Sequence, residues 1–155
     1  MKKTLELALL LLVTLGFVRG VAAETRLLEM RTIDARVVRV KLDGVMEVRI
    51  RQGNVPSLSI TADKRYIADV STAQSGDTLH IETEVRGFKI NPASIRADLV
   101  LPNLRELSSE GFGSTDITGF TGEELTLSLV GAGSIKLVGD YRKLNASLGG
   151  YERVS

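Results

Sequence analysis

The sequence contains no cysteine and no tryptophan, and only 5% of its 155 residues are aromatic. Without cysteine the chain cannot form a disulfide scaffold, a cysteine-ligated zinc site, a thiol nucleophile or the lipid-modified cysteine of a bacterial lipoprotein. Stability must therefore come from buried apolar side chains and backbone pairing. The 43% of hydrophobic residues is enough for the core of one domain.

An excess of charge of one sign is also lacking. The chain has 20 basic and 19 acidic residues, for a formal net charge of +1. This balance gives no electrostatic basis for binding nucleic acid, so we predict no nucleic-acid partner. The single histidine, His80, has no cysteine or second histidine with which to complete a metal site. We therefore predict no metal ligand and no cofactor.

The first residues have the pattern of a secretory signal peptide. Two lysines precede an apolar run over 7–18 that is too short to span a bilayer comfortably. Small residues at Val21 and Ala23 fit the site that signal peptidase cleaves. We therefore predict a cleavable signal peptide over 1–23 and one exported domain over 24–155. The alternative is an uncleaved amphipathic membrane anchor.

The exported domain contains no second long apolar run. We therefore predict no membrane span after cleavage of the signal peptide. The predicted location is the periplasm, the outer surface or the medium.

Apolar and charged side chains alternate along the exported domain, which indicates strands with one buried face. Val38, Val40 and Leu42, for example, alternate with Arg39 and Lys41. Short segments rich in glycine, asparagine or proline separate these runs and supply the backbone angles that tight turns need. The pattern predicts an all-β domain.

The last third of the chain repeats itself. Residues 107–119 align with residues 127–139 at a constant offset of 20 residues, and a third copy begins at Leu144. A fixed period of this length, with strands joined at glycine corners, is typical of a solenoid whose rungs stack on one another. We predict a single-stranded, right-handed parallel β-helix. Its corners, where a Cβ is not tolerated, are predicted at Gly111, Gly113, Gly131 and Gly133.

A two-sheet sandwich with Greek-key connections is the competing architecture, since it is also built from short strands and turns. A sandwich does not require a fixed repeat. In a solenoid, matched positions lie about 4.8 Å apart and form ladders along the axis. Leu107 over Leu127 then builds the core, and Asp116 over Lys136 places opposite charges side by side.

Several segments follow one another in a characteristic order and spacing. They are the leader, the strands Val38-x-Val40 and Val48-x-Ile50, residues 76–81, residues 99–107 and the Gly-x-Gly rungs. In this order and spacing, the sequence resembles the putative auto-transporter adhesin head GIN domain family over residues 32–150. The resemblance implies an exported bacterial protein with a single-stranded β-helix fold and no established biochemical activity, and it carries over no catalytic residue.

The sequence departs from the family pattern near its C-terminal end. Members of the family are expected to continue through further rungs, and a corner glycine is expected where the chain has Glu152. An uncovered last rung exposes apolar surface and an unpaired strand edge. We therefore expect that the domain over 24–155 is incomplete at its C terminus, or that another subunit closes this end.

Six residues are candidates for a binding surface. Basic side chains at exposed strand positions would hold an anionic glycan, and two aromatic rings at corners would form a shelf for sugar rings. The alternatives are a solvated charged face and aromatic rings that cover the core at a turn. The candidates are Arg39, Lys41, Arg49, Arg51, Phe120 and Tyr141.

The sequence favours a non-catalytic function. Nothing places an acid and a nucleophile beside His80 in a recognisable order, and Lys136 matches Asp116 where an enzyme would need a second carboxylate. We predict no catalytic residue and an exported cell-envelope or surface binding module, with an adhesive role, whose partner is a glycan or a surface protein.

Two alternative functions remain. The first is a carbohydrate-active β-helix enzyme that uses an acidic pair. The second is a structural envelope protein that associates with copies of itself through its C-terminal rung.

Overall fold

A computed structural model describes residues 25–84, 90–150 and 153–155. Its secondary structure is nine strands and two 3-10 turns, at Ile67–Asp69 and Pro92–Ser94. The signal peptide predicted over 1–23 lies outside the described residues. The strands are β1 (Arg26–Arg31), β2 (Arg39–Val45), β3 (Glu47–Gln52), β4 (Ser57–Asp63), β5 (Val70–Ser75), β6 (Thr78–Thr83), β7 (Ile95–Leu101), β8 (Glu106–Gly150) and β9 (Arg153–Val154).

All nine strands belong to one mixed sheet, in the order β1-β4-β7-β3-β8-β2-β6-β5, with β9 paired to β8. The sheet is nearly closed and barrel-like. The prediction of an all-β fold is therefore confirmed.

Strands β2 and β3 lie at the centre of the parallel part of the sheet. β2 is parallel to β6 on one side and to β8 on the other, so that Val40 is opposite both Leu79 and Leu107. β3 is likewise parallel to β7 and β8. Because β2 and β3 follow each other directly, the first part of β8 runs alongside both.

Successive segments of the 45-residue strand β8 lie against one another. The amide of Thr126 donates to the carbonyl oxygen of Arg105 at 3.0 Å, which is the hydrogen bond of a parallel ladder one repeat apart. Farther along, Ser155 donates to the carbonyl oxygen of Ile135 at 3.0 Å. The backbone of Gly131 also lies directly against that of Gly111. These contacts place the second copy of the repeat directly against the first.

The other part of the sheet is antiparallel, which a purely parallel solenoid does not predict. Antiparallel pairs join β1 to β4, β4 to β7 and β5 to β6. The reason is clearest between β5 and β6, where Ser75 pairs with Thr78 and only two residues make the turn. A two-residue turn reverses the chain, since a parallel connection needs a dozen or more residues.

The core lies between the inward faces of these strands. Leu107 and Leu127, matched by the repeat, are both fully buried, and burying a leucine side chain contributes about 1.5–3 kcal/mol. The third copy differs, because Leu144 is 47% exposed and Leu148 is 51% exposed.

The four glycines predicted at corners lie where backbone approaches backbone. Gly111 has a φ of 128° and Gly131 a φ of 118°, which L side chains rarely adopt. A Cβ built on Gly111 would overlap the carbonyl oxygen of Gly44, and a Cβ on Gly113 would overlap that of Met46. Gly133 lies above Gly113, with 3.2 Å from its built Cβ to the carbonyl oxygen.

Candidate functional site

The outward side chains of β3 begin the candidate site. Val48 and Ile50 are buried, whereas Arg49 and Arg51 between and after them are exposed, as the alternation of a strand requires. The register with β8 then places Asp116 opposite Arg49 and Thr118 opposite Arg51. β3 and the neighbouring segment of β8 therefore present one continuous outer surface.

A shallow depression of about 250 Å³ lies on this surface. Its lining comes from three adjacent parallel segments, namely β3, residues 116–118 and residues 136–138. Each segment contributes two outward side chains. The lining residues are Arg49, Arg51, Asp116, Thr118, Lys136 and Val138.

The depression carries more positive than negative charge, with three cations and one carboxylate. Across the described part of the chain, the side chains of Arg49, Arg51 and Lys136 form no ion pair within 4.0 Å and no hydrogen bond. Asp98 is opposite Arg49 on the other side, in β7, and does not line the depression. The three cations are therefore free to bind an anion from solution.

The other two predicted cations lie elsewhere on the same rung. Arg39 and Lys41 belong to β2, on the far side of the corner at Gly44. Arg39 is already paired, at 3.2 Å from Glu106 and 3.4 Å from Asp77. The structure therefore brings Arg49 and Arg51 together with Lys136, but it does not join Arg39 and Lys41 to that group.

The two predicted aromatic residues do not form an exposed shelf. Phe120 is only 1% exposed and belongs to the core, where burial of its ring is favourable. It is therefore removed from the candidate surface. Tyr141 is half-buried, and its hydroxyl donates to the carbonyl oxygen of Leu104 at 2.8 Å. Burial raises the pKa of Tyr141 to about 12.

Tyr141 lines a second depression of about 360 Å³. Glu123 and Glu124, which also line it, are paired with Arg142 at 3.4 Å and with Lys143 at 3.1 Å. The Lys143 ammonium beside Glu124 lowers the pKa of that carboxyl. Both carboxylates are therefore compensated, and the lining holds one cation unpaired in the described chain, Arg105, against three in the first depression.

Four residues of the first depression were not among the predicted binding residues. They come from the two copies of the repeat that stack beside β3, and they are Asp116, Thr118, Lys136 and Val138. The repeat signals that Asp116 and Lys136 are neighbours, but not that both lie beside Arg49. The pairing of β3 with β8 places both residues beside Arg49. The repeat does not reveal this pairing, because β3 is not part of it.

Two features are absent from residues 25–84, 90–150 and 153–155. No group of three or more histidine, cysteine, aspartate or glutamate side chains there is arranged to hold a metal ion. The same residues include no helix with the length and apolar character needed to span a bilayer.

Solved bacterial structures share this fold at low sequence identity. One, described as a putative adhesin from Bacteroides fragilis, has a TM-score of 0.75 and 19% identity, with 85% of this chain and 62% of that one covered. A putative adhesin from Parabacteroides merdae has a TM-score of 0.66 and 20% identity, with coverages of 79% and 52%. A putative lipid binding protein from Parabacteroides distasonis has a TM-score of 0.64 and 20% identity, with coverages of 84% and 60%.

The chain thus spans between 52% and 62% of the length of these three relatives. No curated protein sequence matches it. The family model described as putative auto-transporter adhesin, head GIN domain, matches residues 38–152, and the chain belongs to this family.

Proposed function

We propose that this protein is an exported, non-catalytic binding module of the bacterial cell envelope or surface, and that its role is adhesion. Membership of the head GIN domain family and the similarity to two structures described as putative adhesins support this role. The observation that carries the proposal is the depression beside β3, where three exposed cations have no partner within the described chain.

The proposed organisation is a signal peptide over 1–23 followed by one domain over 24–155. Within this domain, we propose that β8 and β9 wind as a right-handed parallel β-helix on top of β2 and β3. The parallel registers and the contacts of Gly111 with Gly44 and of Gly131 with Gly111 support this winding. The antiparallel strands β1, β4 and β5 would then cover the opposite end.

Hydrolysis or lyase chemistry by an acidic pair receives no support from the arrangement of the carboxylates. Asp98 and Asp116 are both register partners of Arg49, so that a guanidinium-bearing strand lies between them. The general acid of a glycosidase pair needs surroundings that keep its carboxyl protonated, and a neighbouring cation does not provide them. A binding role is therefore the better account of this surface.

Self-association is a second candidate function, and one observation favours it. Leu144 and Leu148 occupy the third copy of the repeat and are exposed, whereas Leu125 and Leu129, at the equivalent positions of the second copy, are buried. A second chain that packs on this rung would cover both leucines. Sedimentation velocity at increasing concentration tests this, with Leu148→Lys expected to abolish any concentration-dependent growth in size.

The adhesion proposal is tested by expressing the full chain in a bacterial host and measuring its export and its binding to intact cells. The expected result is recovery outside the cytoplasm and saturable binding to the cell surface. A Gly113→Val variant, which cannot keep the corner packing, serves as the misfolded control. Retention in the cytoplasm, or surface binding equal to that of the misfolded control, would contradict the proposal.

A further inference from the structure

We propose that the depression beside β3 binds an oxyanion, a carboxylate or a sulfate, carried by an acidic saccharide, with Arg51 and Lys136 as its principal contacts. This inference rests on the proposed binding function and names the chemistry of its ligand. The observation behind it is the meeting of Arg49, Arg51 and Lys136 in one depression without partners in the described chain.

Arg51 contrasts with the basic side chains around it. Arg96, on β7, reaches Glu47 at 3.4 Å, and Arg39, on β2, reaches Glu106 at 3.2 Å. Each of these arginines has a carboxylate at the register position beside it. Arg51 has Val100 and Thr118 at those positions, so neither neighbour can neutralise it.

Arg51 and Lys136 reach the depression from opposite sides. Arg51 belongs to β3, and Lys136 belongs to the second copy of the repeat, with residues 116–118 between them. Adjacent strands are about 4.8 Å apart, so the two backbones are separated by roughly 10 Å. An oxyanion between the two side chains would accept charge-assisted hydrogen bonds from a guanidinium and an ammonium.

Asp116 reduces the net positive charge of the depression. Its carboxylate lines the same surface as the three cations, which leaves an excess of two positive charges. One oxyanion is therefore attracted, whereas an oxyanion placed against Asp116 itself is repelled. The hydroxyl of Thr118, beside Asp116, offers a hydrogen bond to a neutral hydroxyl group of the same ligand.

The composition of the lining favours a saccharide over a membrane surface. Recognition of anionic lipids typically uses clusters of four to eight basic residues, or an apolar face that enters the bilayer. The depression has three cations, and Val138 is its single apolar side chain. A hydrophilic ligand with separated charges fits this lining, since it requires no apolar insertion.

Calorimetric titration of the full chain tests the inference with four probes. They are a tetragalacturonate, a sulfated heparin tetrasaccharide, the neutral maltotetraose, and vesicles of phosphatidylcholine with one fifth phosphatidylserine. We expect binding of at least one acidic saccharide, weakening as salt is raised because exposed charges are screened. We expect no binding of maltotetraose. The carboxylated and sulfated probes identify which oxyanion is preferred.

Single variants then assign the binding to the depression. Arg51→Gln and Lys136→Gln are each expected to weaken binding by about tenfold, the loss of one charge-assisted hydrogen bond. Asp116→Asn is expected to strengthen it by about threefold, because it removes the nearest repulsion. Lys41→Gln and Arg105→Gln are matched controls, since both cations are exposed and unpaired in the described chain but lie outside the depression.

Three results of the saccharide titrations would overturn the inference. They are failure of both acidic saccharides to bind, equal binding of maltotetraose, and equal losses in the depression variants and the controls. Preferential binding to the vesicles would overturn it in favour of a lipid headgroup. Saturable binding to intact cells in any of these cases would leave the adhesion proposal standing, because that test does not depend on the charge of the ligand.

Discussion

The glycine contacts of β8 and the depression beside β3 differ in how closely the atoms of neighbouring segments approach. At Gly111 and Gly113, the backbone of β8 touches the backbone of residues 44–46, and no Cβ fits at either position. In the depression, Arg49, Arg51 and Lys136 are exposed and have no partner in the described chain. Stability is therefore concentrated at the corners and in the core, and binding capacity on the outer face.

Replacing a corner glycine should have the largest effect on stability. Gly113→Ala forces a residue with a φ of 134° to carry a Cβ that overlaps the carbonyl oxygen of Met46. Backbone strain and overpacking together predict a loss of about 4 kcal/mol in the free energy of unfolding. Urea denaturation followed by circular dichroism measures it. Gly149→Ala is the matched control, because its nearest contact is Val130 at 4.0 Å.

Shortening a core ladder should have the next largest effect. Leu127→Ala removes a fully buried side chain that stacks on Leu107, and the cavity left behind predicts a loss of roughly 3 kcal/mol. Leu148→Ala, in the third copy and 51% exposed, should cost less than about 1 kcal/mol. Similar losses for the two variants in urea denaturation would contradict the burial of one ladder position and the exposure of the other.

Removing the hydroxyl group of Tyr141 should have an intermediate effect on stability. Tyr141→Phe removes the hydrogen bond to Leu104 and predicts a loss of about 1 kcal/mol. Because the folded-state pKa of Tyr141 is raised to about 12, its contribution is present below pH 10 and is lost as the pH rises through 12. Absorbance titration should show one late-titrating tyrosine that the variant lacks. A spectrum unchanged by Tyr141→Phe would contradict this assignment.

Asp34, on the connection from β1 to β2, should make stability sensitive to acid. The Arg36 guanidinium and the Gln74 amide hold the pKa of this carboxyl well below its usual range. Its contribution is therefore present above the unfolded-state pKa of about 3.9 and is lost as the pH falls toward the lower folded-state value. Asp34→Asn should shrink the difference between urea midpoints at pH 7 and pH 3. Equal differences in the two proteins would contradict the assignment.

Neutralising the depression should have the smallest effect on stability. Arg51→Gln and Lys136→Gln remove no ion pair in the described chain, so each should change the free energy of unfolding by less than about 0.5 kcal/mol. The same variants are expected to weaken binding of an acidic saccharide. A large loss of stability in urea denaturation would contradict this prediction, because it would show that these cations stabilise the fold.

Much of the C-terminal part could be predicted from sequence because it repeats. Identical residue types at Gly111 and Gly131, and at Leu107 and Leu127, require identical surroundings, and stacking one copy on the other provides them. The antiparallel strands carry no such information. Residues alternate between two faces in parallel and antiparallel strands alike, so alternation in β4 could not reveal that it runs antiparallel to β7.

The candidate site could be predicted only in part. Alternation gave Arg49 and Arg51 an outward direction, which the exposure of both side chains matches. Alternation could not distinguish them from Arg39. Glu106 neutralises the charge of Arg39, and only the pairing of β2 with β8 brings these two residues together. The burial of Phe120 could not be predicted either. A lone aromatic residue looks the same in the sequence whether its side chain faces the core or the solvent.

The depression can have three adjacent lining segments only if successive copies of the repeat lie parallel and one strand apart. The chain has no cysteine, so Ser114→Cys with Ser134→Cys introduces a single possible disulfide. Matched positions about 4.8 Å apart are within the range that a disulfide spans.

Mass spectrometry of peptides after mild oxidation of the folded protein measures the fraction of chains that are cross-linked. We expect near-complete cross-linking of Ser114→Cys with Ser134→Cys. We expect little cross-linking of Ser114→Cys with Ser128→Cys, because these positions are not matched by the repeat. Equal, low cross-linking of both pairs would contradict the parallel stacking of the copies.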